Sequence, residues 1–301
     1  IKEKKENNEN NYPNIWDNYT VTDKTDGERR MLYINKDGKI YFITNSMDII
    51  FTGMKTTKKE CFNSLLDGEY IMHDKNDAFY NAFKVFDLYF YQGKSVRKCP
   101  FMMTPARRDE TNIKNTRYGL AVDIVKHLNI EYTFNTNIKD DDLNQPKKLT
   151  IKMKTFGPNY NDADQKKQSL NIFTYTNAIL RKINAGDFEY KTDGLIFTPI
   201  EFGVGGNAVK EEGPLLKGAW NKVFKWKPPE SNSIDFLVTT KKNKNLQDYV
   251  HTEKQYKKIV LRCGYNKNRS KIYEHPCKMM LTDDFPVDDN VDNIYQLGKY
   301  N

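Results

Sequence analysis

The sequence is short of several things, and each shortage excludes a class of protein. No apolar run approaches the roughly 18 residues of a membrane-spanning helix, and no signal-peptide pattern opens the chain, so no membrane partner is expected. Cysteine is scarce. The four in 301 residues, Cys61, Cys99, Cys263 and Cys277, form no Cys-x-x-Cys, and His275-x-Cys277 has no second pair at zinc-site spacing. The expectation is reduced thiols in an intracellular protein. There is no Gly-x-x-x-x-Gly-Lys-Ser/Thr, which argues against P-loop chemistry. Residues 1–11, rich in Lys, Glu and Asn, have little to bury and read as a linker. Because the chain opens on Ile1 and not Met, a piece of a longer polypeptide is expected.

What is present suffices for folding. A hydrophobic share of 38% and an aromatic share of 13% can build one large core or two domains. The 48 basic residues against 40 acidic ones give a net charge of +8, which suits a polyanionic partner. Seven lysines (217, 222, 225, 227, 241, 242, 244) crowd residues 217–244 against two acids, Glu230 and Asp235, whereas 283–292 is acidic.

Hydrophobic alternation predicts strands at 29–35 and 39–45 around the Lys36-Asp37-Gly38 turn, placing Lys24 just before the first of them. Further strands are predicted at 65–73, 83–91, 194–198 and 222–227. Helices are predicted at 120–128 and 169–184, the second with Ile172, Tyr175, Ile179 and Ile183 on one face and Gly186 near its stop. After Pro228-Pro229, strands at 234–239 and 257–263 read as a smaller β unit. The domains expected are 12–232 and 233–301.

Five clusters carry chemistry. The first is Lys24-Thr25-Asp26-Gly27-Glu28-Arg29. Its lysine is a candidate nucleophile, Asp26 can orient it, Gly27 permits a tight bend, and Arg29 offers a fork of donors to a sugar hydroxyl or phosphate. The same four letters also make an ordinary surface turn, and they recur at Lys191-Thr192-Asp193-Gly194, so both copies cannot be the nucleophile. The second is Asp67-Gly68-Glu69, whose carboxylates share one face of a strand, where one can accept from a ribose hydroxyl. In the third, Phe86-Asp87, the ring can stack on a purine, or be plain core. The fourth, Asp193-Gly194-Leu195-Ile196-Phe197, puts an acid at the mouth of an apolar strand, suited to Mg2+ beside a phosphate. In the fifth, Lys225-Trp226-Lys227-Pro228, both lysines project from one face to grip a triphosphate while Trp226 anchors the other in the core. Together they supply a nucleophilic amine, a sugar clamp, a stacking ring, a metal acid and a phosphate clamp, the parts of a nucleotidyl transfer through a phosphoamide.

In order and composition these clusters resemble the motifs of the covalent nucleotidyltransferase superfamily, the mRNA capping enzymes and polynucleotide ligases, over residues 20–240. DGLIF and KWKP favour capping, most like the multifunctional capping enzymes of large DNA viruses. The resemblance implies an α/β (α+β) nucleotidyltransferase domain with antiparallel sheets, of the ATP-grasp-like ligase and capping kind, followed by a partial OB-fold. It implies GTP as substrate, Mg2+ or Mn2+ as cofactor, and transfer of GMP to the 5′-diphosphate end of RNA. Lys24 would carry GMP, Arg29 and Glu69 would hold the ribose, Phe86 the guanine, Asp193 the metal, and Lys225 and Lys227 the phosphates. Flanking triphosphatase and methyltransferase domains in the same polypeptide, and a cytoplasmic viral factory or virion as location, follow from the same likeness. No stretch before Asn301 matches the family's closing Arg-x-Asp-Lys-like motif. The rival readings are an ATP-dependent polynucleotide ligase and an RNA-binding scaffold that has lost activity.

Overall fold

The structure, a computed structural model, describes residues 15–16, 18–103, 116–133, 148–158, 171–208, 211–213 and 220–232, and the backbone of 237–241 and 258–262. The chain divides into two units, residues 1–231 and 232–301.

In the first unit two sheets share the chain. The smaller has the order β1 (Tyr19–Thr25), β10 (Thr192–Pro199), β11 (Phe224–Trp226), all antiparallel. The larger runs β7 (Lys94–Ser95), β6 (Phe79–Tyr91), β5 (Ser64–His73), β2 (Glu28–Ile34), β3 (Lys39–Ile43), β4 (Ile49–Thr56), β8 (Ile130–Tyr132), with β9 (Thr150–Met153) parallel to β6. Two helices are described, α1 (Arg117–His127) and α2 (Ile172–Ala185). In the second unit, β12 (Leu237–Lys241) pairs antiparallel with β13 (Lys258–Arg262), the part of the expected OB-like unit that is described.

Each helix covers one sheet. Ala121 and Ile124 of α1 join Leu32, Ile34, Ile40, Phe42, Leu66, Phe83 and Leu88 in the larger core. Ile172, Ile179 and Ile183 of α2 pack on Val21, Leu195 and Phe197 of the smaller sheet. Each such side chain contributes about 1.5–3 kcal/mol when fully buried. α2 begins where the Asn171 side chain accepts from Thr174 N–H, and stops at Gly186, whose φ of +68° favours glycine.

Lys24 lies within β1, not ahead of the first strand as the pattern predicts. Thr20, Thr22 and Asp23 of that strand are buried and polar, which hides its period. Their partners come from residues 154–158. Val21 and Gly157 exchange backbone hydrogen bonds of 2.8 and 2.9 Å, and the Thr20 and Thr22 hydroxyls donate to the Pro158 and Thr155 carbonyls. The segment that follows β9 in the larger sheet therefore edges β1 of the smaller one. The chain crosses between the sheets again at Asp26-Gly27, immediately after Lys24. A Cβ on Gly27 would lie 2.6 Å from the Tyr70 carbonyl oxygen, so the crossing requires glycine.

Candidate active site

Where the sheets meet, Lys24, Asp193 and Lys227 converge. Lys24 Nζ donates to Asp193 Oδ1 and Oδ2 at 2.6 and 2.8 Å, and Lys227 Nζ lies 2.6 Å from Oδ2. Partial burial pushes the Asp193 carboxyl up, but the hydrogen bonds and charges of Lys227 and Lys24 outweigh it and hold it below the usual range. Lys227 is raised in turn, first by its hydrogen bond to Asp193. Gly194 brings these groups together. Its φ is +144°, and a Cβ there would sit 2.0 Å from the Trp226 carbonyl oxygen, so only glycine lets β11 and Lys227 approach the carboxylate.

On the larger sheet Arg29 and Glu69 lie directly opposite each other on β2 and β5. Arg29 turns its Nε and Nη2 to Asp67, at 3.0 Å to Oδ1 and 2.7 Å to Oδ2. Asp67 is 1% exposed, and burial raises its carboxyl against the pull of Arg29. The Glu69 carboxylate makes no hydrogen bond among the described residues, and burial pushes it up to about 7 despite the nearby Lys154 and Lys24 ammonium groups.

Two buried ion pairs, which sequence reasoning missed, brace this surface. Lys154 Nζ donates to the Asp23 carbonyl at 2.6 Å, to Asp23 Oδ2 at 3.0 Å and to Thr25 Oγ1 at 2.6 Å, gripping the chain on both sides of Lys24. Burial lowers the Lys154 ammonium against the stabilising charge of Asp23. Arg117, fully buried in α1, donates from Nε to Asp87 Oδ1 at 2.8 Å and from Nη2 to Oδ2 at 3.2 Å. Asp87 is thus committed to the frame. Its neighbour Phe86 is half-buried against Phe101, Tyr118 and Phe156. The sequence signal for the missed pairs was no more than an acid beside Lys24.

Three expectations change. Asp26 does not orient Lys24; it lines a cleft of about 270 Å³ with Glu28, Tyr70, His73, Asp77 and Lys191, while Asp193 takes the amine. Lys225 lies opposite Ile196, exposed and outside the ion-paired cluster, because only the second lysine of the pair reaches Asp193. Trp226 is 42% exposed and not a core anchor; the ring of β11 that meets the core is Phe224, stacked on Tyr19 at 5.6 Å. The duplicate lysine, Lys191, is exposed and pairs with Asp77 at 2.6 Å, away from Asp193.

Antiparallel sheets thus meet at a strand-borne lysine with a carboxylate and a second lysine beside it. Residues 15–148 match the family described as mRNA capping enzyme, catalytic domain. It is 30% identical over 285 residues to the probable mRNA-capping enzyme of Acanthamoeba polyphaga mimivirus, covering 84% of this chain and 23% of that protein. It is 24% identical over 233 residues to the mRNA-capping enzyme of Danio rerio, covering 73% of this chain and 31% of that one. The chain thus spans less than a third of the length of either relative. Among solved structures, the ligase domain from M. tuberculosis LigD shares 10% identity, with a TM-score of 0.38 over 74% of this chain and 55% of that chain. No helix among the described residues is long and apolar enough to cross a membrane.

Proposed function

We propose that this chain is an mRNA guanylyltransferase working through a covalent Lys24–GMP adduct. The observation that carries the reading is the shared carboxylate. Of the two Lys-Thr-Asp-Gly copies, it is Lys24 that meets Asp193 and Lys227, with the Arg29–Glu69 pair on the facing sheet.

In the first half-reaction neutral Lys24 Nζ attacks the α-phosphorus of GTP. The N–P bond forms, the bond from that phosphorus to the bridging oxygen breaks, and pyrophosphate leaves. Lys24 must first part from Asp193 and give up its proton, because an ammonium has no lone pair to attack with. Lys227, released from the same carboxylate, is placed to neutralise phosphate oxygens. In the second half-reaction an oxygen of the RNA 5′-diphosphate end attacks the same phosphorus, the N–P bond breaks, and the lysine regains its proton. Arg29 and Glu69 hold the ribose and Phe86 meets the base. Exposed Lys225 offers charge to the phosphate backbone, so RNA binding should weaken with salt.

The family implies Mg2+ or Mn2+, and the residues present fit it. Asp193 is a hard carboxylate that already gathers two cations in Lys24 and Lys227, and a divalent ion of this kind takes one or two carboxylates plus substrate phosphates. Bound there, it supplies positive charge against the phosphates. Flanking triphosphatase and methyltransferase domains belong to this same reading.

The test is incubation with GTP or ATP labelled at the α-phosphate, with Mg2+, followed by a denaturing gel. A band with GTP that vanishes in Lys24→Ala and persists in Lys191→Ala supports the reading. A band with ATP alone makes the chain a ligase, and RNA binding without any band makes it a scaffold.

A further inference from the structure

Arg29 and Glu69 are opposite each other on neighbouring strands, the arrangement in which an arginine and a glutamate ordinarily form an ion pair. They form none here. The guanidinium is taken instead by Asp67 and by Tyr89 of β6. Its hydroxyl donates to Asp67 Oδ2 at 2.5 Å and accepts from Arg29 Nη2 at 3.2 Å, while Arg29 Nε and Nη2 bind the two Asp67 oxygens. The three side chains close a triangle. Two of the three guanidinium nitrogens are engaged in it, and Nη1 is left with no acceptor among the described residues. Glu69, opposite Arg29 on the neighbouring strand, has no hydrogen-bond partner for its carboxylate among the described residues. Arg29 remains 48% exposed, whereas the Asp67 side chain beneath it is 2% exposed. The result is a donor and an acceptor held side by side and kept from satisfying each other.

We infer that Tyr89, through Asp67, is a positioning residue that holds Arg29 off Glu69 so that the two together receive the adjacent hydroxyls of a ribonucleotide. A vicinal diol both donates and accepts, so it satisfies Glu69 and Nη1 at once; a sugar lacking those hydroxyls satisfies neither. Without the tyrosine hydroxyl the guanidinium is free to rotate onto Glu69, and the pair closes on itself. This inference rests on the guanylyltransferase reading for the nucleotide involved, but its own content is the coupling of Tyr89 to sugar recognition.

The test compares GTP with 2′,3′-dideoxy-GTP, both as equilibrium ligands and as donors in self-labelling, for the wild type, Tyr89→Phe and Asp67→Asn. The wild type should bind GTP more tightly than the dideoxy analogue. Tyr89→Phe should shrink that preference about tenfold, the size expected of one hydrogen bond to a charged group, by weakening GTP and leaving the analogue unchanged. In labelling, the same loss should appear in KM more than in kcat. Asp67→Asn should shrink the preference in the same direction. A hydroxyl that merely stabilises the sheet would weaken both nucleotides equally or lower the melting temperature alone, and either result overturns the inference. So does a wild type without preference for GTP. A wild type that prefers GTP in binding, loses the preference in Tyr89→Phe and yet forms no adduct would sustain the inference and sink the guanylyltransferase reading.

Discussion

Thr25 lies directly opposite Thr192 across β1 and β10, and the Asp26 N–H donates to the Lys191 carbonyl at 2.9 Å. The two Lys-Thr-Asp-Gly copies are thus antiparallel neighbours, yet only Lys24 pairs with the other copy's aspartate, Asp193, beside Lys227, whereas Lys191 pairs with Asp77. The expected outcome is that Lys191→Ala labels with GTP about as well as the wild type, while Lys24→Ala shows no band. Equal loss in both variants would mean that the pairing matters for folding alone.

Asp193 holds Lys24 and Lys227 at once, so neutralising it should uncouple them without unfolding the sheet. Asp193→Asn keeps the volume and accepts from one ammonium but loses the charge that gathers two. Self-labelling should fall about 10²-fold, a loss typical of removing one charge-stabilising group from an active site. The melting temperature should move by no more than a few degrees, since the side chain is partly exposed and such ion pairs contribute little to stability. A variant that labels normally would remove Asp193 from the chemistry.

Much of the frame was legible because it follows simple periods. The hairpin of β2 and β3, the alternation of Leu66 against Asp67 and Glu69, and the apolar stripe of α2 ending at Gly186 all appear at the predicted places. β1 was not, because its buried threonines and Asp23 are satisfied by a segment some 130 residues away, and no local pattern announces such a partner. Arg117 and Lys154 were missed for the same reason: a cation enters a core only when a carboxylate far along the chain waits there. The choice between Lys225 and Lys227 likewise needed the fold, since the two are equivalent by alternation and only one reaches the carboxylate.

The Arg117–Asp87 pair should be costly to break and cheap to replace. Asp87→Ala leaves a fully buried guanidinium short of its carboxylate, and the loss should be about 3–5 kcal/mol in urea unfolding. The double variant Arg117→Met with Asp87→Leu should recover most of that. If the single variant is mild, water or another acceptor takes the place of Asp87.

Gly194→Ala tests the approach of β11. With φ at +144° and the Trp226 carbonyl 2.0 Å from a new Cβ, an alanine displaces β11 and draws Lys227 away from Asp193. The strain alone should cost roughly 1–3 kcal/mol. GTP labelling should drop more than in Lys225→Ala, whose side chain is outside the cluster. Labelling equal to that of Lys225→Ala would show that the site tolerates a displaced Lys227.

Glu69 makes stability depend on pH in a direction opposite to that of most carboxylates. Burial raises it in the folded protein to about 7, whereas in the unfolded chain it titrates near the ordinary value of about 4.3. Between these values the folded state binds more protons than the unfolded one, so this group's contribution is fully present below pH ~4.3 and is lost as the pH rises through about 7. Glu69→Gln cannot titrate and removes that dependence. The difference between wild type and Glu69→Gln in urea midpoint should therefore shift against the wild type from pH 5 to pH 8. GTP should reverse part of the shift, because a ribose hydroxyl donating to the ionised carboxylate stabilises the form that burial penalises. A difference that is flat across this range would mean that Glu69 is as well solvated in the fold as in the unfolded chain.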